Sequence, residues 1–268
     1  RGELTVGNYL AIGSDLVKEK VKGIPTVDPA FGLPALWITE EDKDRAEELG
    51  YTVVDPSSVL ITHLSEVIKR YAHELLGRRE VEKLMDNLRK DYSSLIDEIV
   101  PNLLSMGQVQ RVLQNLLREG ISIRDMVTIL EVLSEYAAVT KELDVLTEYV
   151  RAALQRQITS HYQNEDGVLR VITLDPTLED KLISALRDSD GANYLNLDPA
   201  IIDRLRRNVM TGLEPLVSQG YNPVLLCAAP IRPHLKHLLE GVLPQLAVLS
   251  YAEISPGVEV EALAVVKE

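Results

Sequence analysis

The spacing of apolar positions changes twice along the chain. The first 55 residues read as short strands and loops, residues 56 to about 162 as helix, and the remainder as strands alternating with helices. In the first stretch, LTVGNYLAI at 4–12 predicts a strand, followed by Gly13-Ser14 and a polar, Lys-rich run to Gly23. Pro25, Pro29 and Pro34 then forbid a helix and predict a stiff, irregular loop entering a short strand at 35–38. Thr39 before Glu40, Glu41 and Asp42 predicts a helix N-terminus with acids in its first turn. Gly50 closes that helix, and 51–54 is a further strand. The stretch is a small α/β domain.

Asp55-Pro56-Ser57-Ser58 is a helix start with proline at the first helical position. Leu60, Leu64, Val67, Ile68, Tyr71 and Leu75 follow at helical spacing, and Gly77 ends the run. Thr62 lies about 200° around the helix from Leu60 and Leu64, off that stripe. From Arg78 onward, Ser105-x-x-Gln108 and Ser122-x-x-Asp125 resemble capping boxes, with Gly120 separating two helices. Val109, Val112, Leu113, Leu116 and Leu117 form one stripe, and Ile123, Val127, Leu130, Leu133 and Ala137 the next, which predicts a compact helical domain.

After a polar break at 163–167 the pattern predicts a strand at 168–174, a helix near 177–187, a turn at 188–191 and a long helix near 199–219. A strand at 224–227, a helix near 231–242 and strands at 247–250 and 258–266 complete a second α/β domain. The expected fold class is therefore α+β with several subdomains: a small α/β domain, a central helical domain and a C-terminal α/β domain. The junctions near Gly77 and at 163–167 are the expected hinges.

Composition narrows the functional classes. A length of 268 residues fits about two compact units. An apolar share of 46% with 26% charged residues excludes a disordered or low-complexity chain. The net charge of −13 repels a phosphate backbone, and the short basic runs at 78–79 and 204–207 do not offset it, so no nucleic-acid partner is expected. The single cysteine, Cys227, can form no internal disulfide. The longest strongly apolar stretch, 224–231, falls far short of the ~20 residues of a membrane span. Arg1 begins mid-pattern, as expected of a fragment of a longer protein.

Catalytic chemistry finds little support. There is no phosphate-loop, dinucleotide or nucleophile-elbow glycine pattern. His234, His237 and Glu240 share a helix face but lack the metalloprotease spacing, and a solvated face explains them better than a metal. Asp188-Ser189-Asp190-Gly191 resembles half a calcium loop without its closing Glu, and a turn suffices. Helix polarity explains Glu40-Glu41-Asp42, and core packing explains Cys227. No catalytic residue, metal or cofactor is expected.

The segment Asp28-Pro29-Ala30-Phe31-Gly32-Leu33-Pro34 is different. Aromatics make up only 4% of the chain, and its one Phe sits here on a proline-stiffened loop beside a carboxylate. That is the makeup of a recognition surface with an apolar anchor and little entropy to lose on binding. On pattern alone the favoured reading is that Phe31 plugs the small domain's core; Trp37 reads as strand-borne core.

Several blocks together resemble the C-terminal cytoplasmic part of the FHIPEP family, the flagellar type III protein-export gates. They are DPAFGLPALWI at 28–38, GYTVVDPSSVLITHL at 50–64, LLGRREV at 75–81, VLQNLLREGISIRDMVTILEVL at 112–133 and PQLAVLSYAEI at 244–254. The resemblance implies a non-enzymatic docking platform that binds export chaperones with their cargo and passes them to the membrane export gate. It implies further partners in the export apparatus, including its ATPase complex, a nine-membered ring in the full-length protein, and a place on the cytoplasmic side of the bacterial inner membrane. By the same resemblance, 7–55 is subdomain D2, 77–160 the helical D3 and 161–268 D4, while 1–6 and 56–76 are remnants of D1. The family's chaperone-binding dimple falls on Asp28, Phe31 and Thr62, lined by Ile12, Leu33, Val54 and Val59, and this favours the recognition reading of Phe31. A virulence-type injectisome gate is the nearer alternative, and an enzyme using the C-terminal α/β domain the remoter one.

Overall fold

The computed structural model describes residues 8–13, 21–30, 32–187 and 197–267. The chain divides into two compact units, residues 1–75 and 76–268, with the division beside the Gly77 junction. Both units mix helices and a sheet.

The first unit is a four-stranded antiparallel sheet, ordered β2-β3-β1-β4, of β1 (Tyr9–Ile12), β2 (Ile24–Val27), β3 (Pro34–Ile38) and β4 (Thr52–Val54). Side chains alternate across it. Ala11, Leu36, Ile38 and Val53 pack on one face with Ala46 and Leu49, the latter residues belonging to or ending α1 (Lys43–Glu48). Leu10, Ile12, Ala35, Trp37 and Val54 pack on the other face with Val59 of α2 (Pro56–Arg70). Residues 24–27, expected as irregular loop, are a strand. Pro25 is tolerated there because β2 lies at the sheet edge, and Pro34 stands first in its strand, where the missing N–H costs no central ladder bond. The helix after Thr39 opens as a 3-10 turn at Glu40–Asp42, and the Thr39 hydroxyl donates to the Asp42 carboxylate (2.9 Å) instead of capping a backbone N–H. The run expected to continue to Gly77 breaks at Tyr71, leaving α2 and a short α3 (Ala72–Leu75). The expected D1 remnant at 1–6 lies outside the described residues.

The second unit begins with the helices α4 (Arg78–Leu88), α5 (Ser93–Glu98), α6 (Met106–Arg118), α7 (Met126–Tyr136), α8 (Leu143–Ala153) and α9 (Gln155–Tyr162). Ser105 and Gln108 form the expected capping box at the head of α6, and Gly120 takes φ +74° where the chain leaves it. At α7 the expectation fails. Asp125, not Ser122, is the N-cap, accepting from the Thr128 N–H (3.2 Å), while the Ser122 hydroxyl closes a tighter turn with the Arg124 N–H.

A parallel sheet follows, ordered β7-β6-β5-β8, from β5 (Leu169–Leu174), β6 (Val224–Cys227), β7 (Ala247–Ser250) and β8 (Val260–Val266). Every residue of β6 is buried, as a central parallel strand with both faces covered requires. One face, through Ile172, Leu225, Cys227 and Val248, packs on α10 (Pro176–Arg187), α11 (Pro199–Ser218) and α12 (Arg232–Glu240). Gly212 lets α11 lie close to β8, since a Cβ there would come within 3.2 Å of Val266. The other face, through Leu169, Val171, Val224, Leu226 and Leu249, joins the core of the helical part. The bundle and the sheet thus share one core. The break at 163–167, expected as a hinge, is a tight turn: the Asn164 N–H donates to the Val168 carbonyl, and Asp166 caps the Val168 N–H and pairs with Arg170.

The shared core carries charge as well. Arg232 on α12 reaches Glu119 at the end of α6 and Glu148 on α8, while Arg151 on α8 pairs with Glu119 (2.9 Å) and with Glu253 beyond β7 (2.5 Å). Thr159 on α9 donates to the Glu253 carbonyl and accepts from the Ser255 N–H, both at 2.9 Å.

Candidate functional site

Of the expected site residues, Ile12, Val54 and Val59 share the sheet face that α2 covers, Thr62 is on α2, and Asp28 and Leu33 are on the loop between β2 and β3. Asp55 caps α2, its Oδ1 accepting from the Ser57 and Ser58 N–H groups at 3.0 Å each. Hydrogen bonds from Ser58, with help from Ser57, hold the Asp55 carboxyl below its ordinary carboxylate value. From that start Val59, Thr62, His63 and Glu66 recur on the buried side of α2 at i, i+3, i+4 and i+7.

The opposite side holds a surprise of orientation. Leu60, Ile61, Leu64, Val67, Ile68 and Tyr71 are all exposed, so the apolar stripe that reveals the helix in the sequence is not the face that packs on this sheet. Thr62, off the stripe, is on the packed side and half-buried.

The loop between β2 and β3 closes on itself. The Asp28 N–H donates to the Leu33 carbonyl (2.7 Å) and the Gly32 N–H to the Asp28 carbonyl (2.9 Å), with Gly32 at φ +73°, a conformation glycine adopts without strain. Asp28 is only 5% exposed, whereas Leu33 is 47% exposed. Ile12 and Val54 are half-buried at the sheet end beneath α2. Val59, expected to line the surface, is 3% exposed and belongs to the core beneath it. Phe31 lies outside the described residues. Of the expected set, then, Leu33, Thr62, Ile12 and Val54 retain accessible surface, and Asp28 and Val59 support them.

Sequence reasoning passed over His63. Its Nδ1 lies 2.9 Å from the Pro29 carbonyl, joining α2 to the loop. The signal was available: His63 stands four residues after Val59, one place beyond Thr62, on the sheet-facing side.

The other sequence candidates separate from this site. Among the described residues no group of three or more His, Cys, Asp or Glu could hold a metal ion; His237 is exposed, and Asp188–Gly191 lies outside the described residues. No described helix is long and apolar enough to cross a membrane. A groove of about 870 Å³ on the second unit is lined mostly by apolar side chains of α11 and of 242–246, including Met210, Leu213, Val217 and Val242. Cys227 lies in β6, where burial pushes its thiol far up from the ordinary range and its Sγ faces the Leu249 carbonyl. It should resist a thiol reagent such as dithionitrobenzoate in the native protein and react only on unfolding; rapid native labelling would contradict its burial.

Comparison with known proteins agrees with the mixed α+β architecture. The family model described as "FHIPEP family" matches residues 1–259. The flagellar biosynthesis protein FlhA of Bacillus subtilis is 45% identical over 266 residues, 99% of this chain, and the chain spans 39% of that relative's length. Among solved structures, the Chlamydia pneumoniae CdsV protein superposes with a TM-score of 0.85 at 29% identity, covering 99% of this chain and 76% of that one. The nonameric EscV cytosolic domain from the type III secretion system gives a TM-score of 0.74 at 26% identity, over 98% and 77%. With a family model spanning nearly all of its length and a relative of this identity, the chain belongs to the FHIPEP family.

Proposed function

We propose that this chain is part of a docking platform for flagellar type III protein export, which binds export chaperones carrying cargo and passes them to a membrane export gate. One observation carries the proposal: a self-closed, proline-stiffened loop exposes Leu33 on the unit whose α2 carries Thr62 on its sheet-facing side. Rigid presentation of apolar groups beside a hydroxyl suits capture of a folded partner, because little conformational entropy is lost on docking. Ile12 and Val54 add apolar floor, Asp28 and Val59 hold it, and Phe31 is the anchor. The subdomain division drawn from the resemblance belongs to this reading. So do the ring of nine, a place at the cytoplasmic side of the inner membrane, and contact with the ATPase complex. The exposed stripe of α2 is then the surface on which the rest of D1 packs. Identity of 45% to a flagellar relative, against 26% to a type III secretion cytosolic domain, supports the flagellar branch over the injectisome one.

The test is calorimetric titration of the full cytoplasmic domain with a cargo-loaded flagellar export chaperone. Phe31→Ala should weaken binding by at least about tenfold, as expected for truncating an aromatic anchor. Emission from Trp37, the chain's one tryptophan and a buried one, should stay unchanged. Unaltered affinity would remove Phe31 from the site, and a red-shifted Trp37 spectrum would return it to the core.

A further inference from the structure

We infer that His63 is the positioning residue of this site: its imidazole N–H fixes the 28–33 loop against α2, so that loop and helix present one surface. The inference rests on the docking reading above and deepens it. Proline has no N–H, so the carbonyl is the one polar main-chain group Pro29 offers, and it can only accept. His63 Nδ1, 2.9 Å away, must therefore donate. That assigns the hydrogen to Nδ1 in the neutral ring, and the bond is equally available to the charged ring.

Two main-chain hydrogen bonds, from the Asp28 N–H to the Leu33 carbonyl and from the Gly32 N–H to the Asp28 carbonyl, close the loop on itself. Among the described residues the strand that leads into it, β2, is an edge strand paired with β3 alone, and Ile24 and Val27 on it are exposed. Prolines make the loop stiff, but a stiff loop hung from an edge strand can still pivot as a body. The bond from His63 ties it at Pro29, next to Asp28, and comes from the residue adjacent to Thr62. The two halves of the site are thereby set at a fixed separation before any partner arrives, which is preorganisation in its physical sense.

Two substitutions isolate the donor. In His63→Phe the ring shape is kept and the N–H is lost; in His63→Asn the amide nitrogen stands close to where Nδ1 stood and can donate again. Amide hydrogen exchange on the full cytoplasmic domain should quicken at Asp28 and Gly32 in His63→Phe and return toward the parent rate in His63→Asn. Chaperone affinity should fall roughly five- to tenfold in the first and recover in the second. Added to Phe31→Ala, His63→Phe should cost little more, since the two act through one loop. Unchanged exchange in His63→Phe, or no recovery in His63→Asn, overturns the inference. If Phe31→Ala weakens docking while His63→Phe does not, His63 is excluded as a positioning residue. If neither affects affinity, the docking reading itself fails.

Discussion

Replacing Arg232 by Met should destabilise the second unit by about 3–5 kcal/mol, as expected when one partner is removed from a buried ion pair. Arg232 is 1% exposed, and its guanidinium is shared between two carboxylates: Nε donates to Glu148 (2.6 Å) and Nη1 to Glu119 (2.7 Å), with a further bond to the Val248 carbonyl (3.3 Å). Without it Glu119 keeps its bond to Arg151, already engaged by Glu253, and Glu148 loses the cation it touches. For a unit of this size the loss corresponds to a fall in Tm on the order of 10 °C, read by far-UV circular dichroism. A melting point within a degree or two of the parent would mean that the network contributes nothing net.

The pH dependence carries a sign that separates the two carboxylates. Burial pushes Glu148 up, and Arg232 recovers only part of that shift, so its folded pKa stays above the ordinary carboxylate value. The folded state then binds the proton more readily than the unfolded chain, and stability falls as pH rises through the window just above that value. Burial pushes Glu119 up as well, but Arg151 and Arg232 together outweigh it and leave its pKa lowered. Its contribution is present above the ordinary carboxylate value and is lost as pH falls through the lowered one. In Arg232→Met the opposing pull on Glu148 is gone, so the deficit should shrink as the buffer is taken from pH 7.5 toward pH 5. Substituting Glu119 and Glu148 by Leu alongside Arg232→Met should recover much of the lost stability, because it leaves Arg151 paired with Glu253 and puts apolar volume where uncompensated charge would sit.

None of that network is visible in sequence. Glu119 and Arg232 are 113 residues apart, and each taken alone reads as a solvated helix charge. The helix that carries Arg232 drew notice instead for His234 and His237, as a metal candidate. What was legible is the local chemistry: VLLC at 224–227 and AVLS at 247–250 are the strands β6 and β7, since unbroken apolar runs between turn signals permit little else. The Ser105 capping box was legible for the same reason, its two partners being three residues apart. Elements that depend on distant neighbours were not. Pro25 argues against a strand unless the strand is known to be an edge, and edges are a property of the sheet. The stripe on α2 announces a helix with an apolar side, but periodicity cannot say which body that side meets, and within its own unit α2 docks through Val59, Thr62 and His63 instead. At the candidate site, family resemblance supplied the residues, while burial sorted them into Leu33 and Thr62 at the surface and Asp28 and Val59 beneath.

Trp37→Ala should unfold the first unit outright. Trp37 is 5% exposed on β3, an inner strand, paired across the ladder with Leu10 on one side and Ile24 on the other. Among the described residues, its neighbours on this face of the sheet are the buried Leu10, Ala35 and Val59 and the half-buried Ile12 and Val54, none of which matches the volume of an indole. Removing a buried tryptophan side chain costs about 3–5 kcal/mol, and a core in a unit of fewer than about 80 residues rarely supplies more than that. Hydrogen exchange is the direct measurement: amides of β1, β3 and β4 should lose protection, while those of β5 to β7 keep theirs, because their core is built from other residues. Trp37→Phe, which keeps an aromatic ring, should retain protection in both. Persistent protection of β3 in Trp37→Ala would show that the small unit draws its stability from elsewhere. Set beside Phe31→Ala, the same variant also distinguishes the two readings of the chain's single phenylalanine. An anchor, when truncated, weakens docking and leaves β3 protected; a core plug behaves as Trp37 does and takes the sheet with it.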